Sequence, residues 1–209
     1  MSAAFDGAMR RHRLVAILRG VERETLEARV AALYGAGVRL IEVALSEPTA
    51  LATLEELVRI APVDMLVGAG TVTTSQLAKA AHEVGATFLV TPHVALPTIA
   101  YAVEHDLGVL AGALTPTEIA SARDAGARFI KLFPASAVGP DYVKALLGPY
   151  PELEMLAVGG VGSANLAPYL RAGVIGAGVG GALASGSPDD GFAAAAAEAR
   201  ALVNLLDQP

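Results

Sequence analysis

Lysine is scarce in this chain, occurring only at positions 79, 131 and 144. Lys79, in QLAKAAHEV, and Lys144, in PDYVKALL, fall where a helix surface is expected. Lys131 stands instead inside the apolar run RFIKLF (128–133). Strand alternation puts Ile130 and Leu132 on one face and Phe129, Lys131 and Phe133 on the other. A lysine held among apolar side chains loses hydration of its charged form, so its pKa falls and the free amine becomes a nucleophile. Glu42, in RLIEVAL (39–45), has the same character, sharing a strand face with Leu40 and Ala44. A carboxylate turned into a core must meet a partner or lose its charge. Beside a lysine nucleophile it is a general acid/base; otherwise it is a structural partner of Arg19 or Lys131.

Glycines form a third group. Gly159-Gly160 follows LEMLAV (153–158), and GAGVGGAL (176–183) carries Gly180-Gly181. Glycine lets the backbone approach an anion closely, and loops rich in it bind phosphate. Arg19, between LVAIL and Gly20, is suited to clamp an anionic group or to pair with Glu42. Thr71, after Gly68-Ala69-Gly70, is placed to donate to a carboxylate or to cap the helix that follows. His93 is either a base or, as its place favours, a rim residue hydrogen-bonding a loop. His12, His82 and His105 read as solvated, so no metal site is expected. Asp189-Asp190 reads as the charged start of the last helix.

Eight short apolar runs position these residues: 14–18, 39–45, 64–68, 87–91, 107–111, 128–133, 153–158 and 174–179. Their near-continuous hydrophobicity suits strands covered on both faces. Between them lie stretches of helical period, such as 24–37, 73–86, where Thr or Ser supplies the N-cap, and 115–127. Thr115-x-x-Glu118 forms a capping-box pattern, and Gly37, Gly85, Gly126 and Gly173 stand as helix stops. Strands recur at roughly 20–26 residues, close to the minimum for a βα unit. The expectation is an α/β protein, a compact single-domain (β/α)8 TIM barrel over 1–209, with a short N-terminal helix at its bottom and one helix over 189–206. A doubly wound sheet is the rival, but no G-x-G-x-x-G follows the first strand. In such a barrel the chemistry sits at the C-terminal ends of the strands, where Arg19, Glu42, Thr71, His93, Lys131 and the glycine pairs fall, with phosphate at the loops after strands seven and eight.

Composition narrows the function classes. The chain has 209 residues, 54% apolar and 17% charged, with a net charge of −6. That hydrophobicity excludes disorder, and the acidic balance argues against nucleic acid as a partner. The absence of cysteine removes disulfides and thiolate chemistry. No uncharged apolar stretch reaches the roughly 18 residues of a spanning helix. The start, MSAAFDGAMRRHR, has the wrong order for a signal peptide, so a cytoplasmic protein with no membrane partner is expected.

Read together, ILRG (17–20), IEVALSEP (41–48), VGAGTV (67–72), VTPH (90–93), IKLFPASAVGPDYVKAL (130–146), AVGGV (157–161) and GAGVGGAL (176–183) resemble the class I aldolases of the KDPG/KDPGal family. The resemblance runs in register from Leu14 to the last helix. It implies cleavage of a 2-keto-3-deoxy-6-phospho sugar acid to pyruvate and glyceraldehyde 3-phosphate, with no cofactor or metal. It implies Lys131 as the Schiff-base lysine and Glu42 as the proton-transfer residue. Arg19 and Thr71 would surround the pyruvate carboxylate, with Gly159, Gly160, Gly180 and Gly181 around the phosphate, in a homotrimer. Gluconate-type members often carry an Arg shortly after the catalytic Glu, where this chain reads Ala44-Leu45-Ser46, so the galactonate type is favoured. Members commonly have a Ser where this chain has Gly181, which leaves only backbone for the phosphate. Two other readings stand beside this one. Another phosphate-binding small-barrel enzyme, an epimerase or synthase, would share the glycines without needing Lys131. A non-catalytic phosphosugar-binding barrel would hold Lys131 and Glu42 as a structural ion pair.

Overall fold

The computed structural model describes residues 2–208. Eight strands pair in parallel in chain order, and the last closes on the first. They are β1 (Leu14–Leu18), β2 (Leu40–Ala44), β3 (Leu66–Gly70), β4 (Phe88–Val90), β5 (Gly108–Ala113), β6 (Phe129–Leu132), β7 (Glu154–Val158) and β8 (Gly176–Val179). Helix α1 (Ala3–His12) precedes the barrel, and α2 (Leu26–Gly35), α3 (Ala50–Ile60), α4 (Ser75–Glu83) and α5 (Leu96–Glu104) wrap its first half. The second half carries α6 (Pro116–Asp124), α7 (Gly139–Leu147), α8 (Leu166–Ala172), the short α9 (Gly181–Ala184) and α10 (Ala193–Leu206). This is the (β/α)8 barrel expected from the repeat.

Strand residues alternate between two cores. Ala16, Ile41, Ile130, Leu132 and Ala157 pack outward under the helices, whereas Val15, Leu40, Phe88, Leu110, Phe129 and Leu156 fill the barrel. The parity that sends Leu40 and Phe129 inward also sends Glu42 and Lys131 inward, two residues nearer the strands' C-terminal ends. Local signals behave as read. Thr74 caps α4 by accepting from the Leu77 N–H at 3.2 Å, and Thr115 with Glu118 closes a capping box at α6. Gly37, Gly85, Gly126 and Gly173 follow their helices with φ of +101°, +101°, +103° and +110°, the left-handed stop.

Element boundaries shift by a few residues from the sequence reading, as where β5 runs on to Ala113 and β8 begins at Gly176, and two differences have a physical reason. β3 continues to Gly70, because Gly68 and Gly70 are strand positions whose missing side chains leave room for neighbours: a Cβ on Gly68 would lie 2.4 Å from the Phe88 ring. The last helix begins at Ala193 rather than at 189. Asp190 instead accepts from the Ser187 and Phe192 N–H groups at 3.3 and 2.9 Å, forming a separate turn ahead of the helix.

Helix α1 seals the N-terminal end of the barrel. Phe5 and Met9 are fully buried. The Phe5 ring stacks on Phe88, with centroids 5.0 Å apart, and meets Phe129 edge-on at 5.7 Å. Outside the ring layer, Arg10 grips Glu154 with two bonds of 2.8 and 2.7 Å, and Arg128 bridges Asp6 and Glu154. Gly108 admits the plug, since a Cβ there would fall 2.2 Å from Phe5 Cγ. Phe5→Ala is expected to cost about 3–5 kcal/mol through the cavity it leaves. Gly108→Ala is expected to cost about 1–3 kcal/mol through the clash. Because the clash is with the deleted ring, the double variant should lose no more than Phe5→Ala alone, a coupling of about 1 kcal/mol or more in urea unfolding. Strict additivity would contradict the contact.

Candidate active site

A cavity of about 620 Å³ opens at the C-terminal ends of the strands. Arg19, Glu42, Thr71, Lys131, Gly159, Gly160, Gly180 and Gly181, contributed by β2, β6 and the connections after β1, β3, β7 and β8, all line it. It lies above the ring layer, so substrate enters from one side only.

Lys131 is 6% exposed and Glu42 is 1% exposed. In register, Lys131 pairs with Gly112 of β5, and Glu42 pairs with Gly68 of β3. Both bare neighbours make space. A Cβ on Gly112 would meet the backbone of Thr91, Pro92 and His93 at 2.4–2.6 Å, so that loop folds directly over β5 beside the lysine. Thr91 fixes it, donating to the His93 carbonyl at 2.7 Å and accepting from Gly112 N–H at 2.9 Å. A Cβ on Gly70 would lie 2.3 Å from Glu42 Oε1, so the carboxyl group occupies the place of a side chain. Burial pushes the Glu42 carboxyl up from 4.5 to about 7, against the pull of the Lys131 and Arg19 charges. Burial likewise pushes the Lys131 amine below the usual lysine range; the Glu42 charge opposes this and Arg19 adds to it. Yet no ion pair joins Lys131, Glu42 and Arg19 among the described residues, and Glu42 Oε2 is buried without a hydrogen-bond partner. The two groups are near enough to bias each other's protonation yet lie beyond ion-pair contact.

Arg19 does not pair with Glu42. Its Nη1 donates to Ser46 Oγ at 2.9 Å, at the rim. Thr71 does not cap α4, a role taken by Thr74. It lines the cavity at φ +59°, a strained conformation for a β-branched residue and one that clusters at functional sites. Gly159 and Gly160 also have positive φ and present bare backbone to the cavity. Phe133 completes the wall. Its ring lies 5.0 Å from Lys131 Nζ, and it was readable from its shared parity with the lysine. Ser46 had no such signal. His82 is half-buried rather than solvated, its Nδ1 3.2 Å from the Tyr101 hydroxyl, and lies away from the cavity. Among the described residues no group of three or more His, Asp and Glu is placed to hold a metal ion.

A closed eight-stranded barrel with a buried amine and an unpaired carboxyl group facing one cavity at the strand ends defines a small α/β barrel with its candidate site at the C-terminal face. Residues 5–192 match the family described as KDPG and KHG aldolase, and the chain belongs to that family. It is 39% identical over 171 residues to the "Probable 2-dehydro-3-deoxy-6-phosphogalactonate aldolase" of Rhizobium meliloti (strain 1021), covering 81% of each chain. It is 38% identical over 168 residues to the 2-dehydro-3-deoxy-6-phosphogalactonate aldolase of Escherichia coli (strain K12), covering 80% of this chain and 82% of that one. Among solved structures, a native KDPGal structure superposes with a TM-score of 0.86 at 36% identity, over 92% of this chain and 93% of the other.

The raised Glu42 pKa has a consequence for stability. A carboxyl group whose folded pKa lies above its unfolded value keeps more protons when folded, so folding loses stability as pH rises from 4.5 through about 7. Glu42→Gln removes that penalty. Its stability relative to the parent should rise by about 3 kcal/mol between pH 4 and pH 8, read by urea unfolding at both. A difference that does not change with pH would show that Glu42 is not held in its neutral form by burial.

Proposed function

We propose that this protein is a class I aldolase that cleaves a 2-keto-3-deoxy-6-phospho sugar acid to pyruvate and glyceraldehyde 3-phosphate through an imine on Lys131. The carrying observation is a buried amine and a buried carboxyl of pKa about 7 that face one cavity without pairing. The 6-phosphogalactonate type is favoured over the 6-phosphogluconate type by the named relatives and by the Ala44-Leu45-Ser46 stretch after Glu42.

Each step follows from these placements. Neutral Lys131 adds to the C2 ketone, and the carbinolamine takes a proton from protonated Glu42 and loses water, leaving a protonated imine and an ionised Glu42. Its nitrogen is the electron sink, so the cleavage requires neither metal nor cofactor. Glu42, ionised, takes the C4 hydroxyl proton directly or through a water. The C3–C4 bond breaks, glyceraldehyde 3-phosphate leaves, and the electron pair moves into an enamine. Protonated Glu42 returns its proton to C3, and water releases pyruvate from Lys131. A carboxyl poised near neutrality serves both halves of this cycle. Arg19 and Thr71 take the substrate carboxylate, and the backbone at Gly159-Gly160 and Gly180-Gly181 takes the phosphate. A structural ion pair between Lys131 and Glu42, required by the non-catalytic reading, is not formed. No helix of the described residues is long and apolar enough to cross a membrane; a cytoplasmic homotrimer, following the family resemblance, completes the proposal.

Borohydride in the presence of pyruvate should trap a stable adduct on Lys131, seen as a mass gain on its peptide. Lys131→Ala and Lys131→Arg should show no adduct and no cleavage while remaining folded, since a guanidinium stays protonated. Cleavage by either variant would overturn the imine mechanism.

The phosphate assignment has its own test. Gly181 has a negative φ, and a Cβ there meets no atom within 4 Å. Gly181→Ser therefore adds a hydroxyl without strain. It should lower KM for the phosphorylated substrate by about tenfold, the effect of one hydrogen bond to a charged oxygen, with kcat unchanged. The KM of the unphosphorylated 2-keto-3-deoxy acid should not move. An equal response of both substrates, or none, would place the phosphate elsewhere.

A further inference from the structure

The interior of the helix shell holds one cation that the chemistry above does not use. Arg29 lies on the face of α2 that also buries Leu26, Val30 and Leu33, and it is 5% exposed. Burying a guanidinium is expensive unless a carboxylate answers it. None does among the described residues. Its Nε is buried without a hydrogen-bond partner, and burial pushes its pKa down.

What the guanidinium does touch is one stretch of chain. Nη1 donates to the Ser185 carbonyl at 2.7 Å, and the group lies 4.2 Å from the centroid of the Phe192 ring. Ser185 immediately follows α9, and Phe192 immediately precedes α10. One side chain therefore grips both ends of the 185–192 excursion. The far end is itself a fixed point: Phe192 is fully buried, has φ +54°, and donates its N–H to Asp190 Oδ1. The near end terminates the single turn of α9, which begins with the cavity residues Gly181 and Ala182. Ser185 adds only a local bond, from its hydroxyl to the Ala182 carbonyl at 2.7 Å. The connection after β8 is thus anchored to α2 through Arg29, and the anchor lies outside the cavity.

We propose that Arg29 is a positioning residue for the proposed aldol cleavage: by clamping Ser185 against Phe192 it sets the height of α9 and so holds the Gly180-Gly181 backbone where the substrate's phosphate is bound, an inference that rests on the phosphosugar reading above. A cation is retained in an apolar shell because a neutral side chain of similar length would fill the space without gripping both the carbonyl and the ring.

Arg29→Met keeps the apolar stem and removes the grip. It should raise KM for the 6-phosphorylated substrate by about tenfold or more, because misplacing binding backbone by a fraction of an ångström weakens every contact it makes. The kcat should stay within about twofold, the KM of the unphosphorylated acid should not change, and pyruvate trapping on Lys131 should persist, as expected for a contact made alike in ground and transition states. Amide hydrogen exchange over residues 181–191 should quicken in the variant while β6 exchange stays as in the parent. An unchanged KM for the phosphorylated substrate, or an equal rise for both substrates, would overturn the assignment. A parent enzyme that does not distinguish the two substrates would instead overturn the phosphate reading, and the Arg29 role with it. Should Arg29→Met fail to fold, Phe192→Leu removes the ring while leaving the guanidinium–carbonyl bond, and the same split in KM decides the matter.

Discussion

Two unlike charges are buried near each other at the mouth of this barrel and kept from pairing. That constraint organises the rest. Had Lys131 and Glu42 closed into an ion pair, each would have neutralised the other and neither would be free to exchange protons at neutral pH. Held apart, the carboxyl moves up to about 7 and the amine moves down, so their ordinary charges are weakened from both sides. Close-packed backbone surrounds both groups. Gly70 gives Glu42 its space on one side, and Gly112 brings the Thr91–His93 loop over β5 beside the lysine. Arg19 contributes its field from the rim while its hydrogen bond goes to Ser46.

Below the reactive layer the barrel is filled by rings and closed by a helix. Phe88 and Phe129 enter from the strands and Phe5 from α1, and the glycines at 68 and 108 are the positions where those rings have displaced strand side chains. Packing of this kind leaves little freedom to repack. Phe129 lies two residues before Lys131 on the same inward face of β6, so the ring layer and the buried amine follow one strand alternation.

The readable parts were those fixed by neighbours in sequence. The parity of Lys131 with Phe129, and of Glu42 with Leu40, needs only strand alternation, and the helix caps at Thr74 and Thr115 need only three residues of context. What escaped depends on distant chain. Gly70 looked like loop because the carboxyl group that fills its place sits on β2. Asp189-Asp190 looked like the start of a helix because Asp190 turns back to bond Ser187 and Phe192 instead. Arg19 was offered two roles, and its observed partner Ser46 lies 27 residues on. Arg29 fell among apolar helix positions, yet the carbonyl it holds is 156 residues away.

The closure of β8 onto β1 joins the two ends of the chain in time as well as in space. Until β8 is made, β1 and β7 are open edges with unpaired backbone groups. Helix α1 needs Gly108, Phe129 and Glu154 before it has anything to plug, and Arg13 hydrogen-bonds the Leu206 carbonyl at the end of α10. A nascent chain stopped short of β8 thus carries an exposed aromatic floor and two adhesive edges. The pair that closes the barrel, β1 with β8, is the one whose strands lie farthest apart in the chain. A chain without β8 is therefore the form whose β1 and β7 edges are open to pairing with its neighbours.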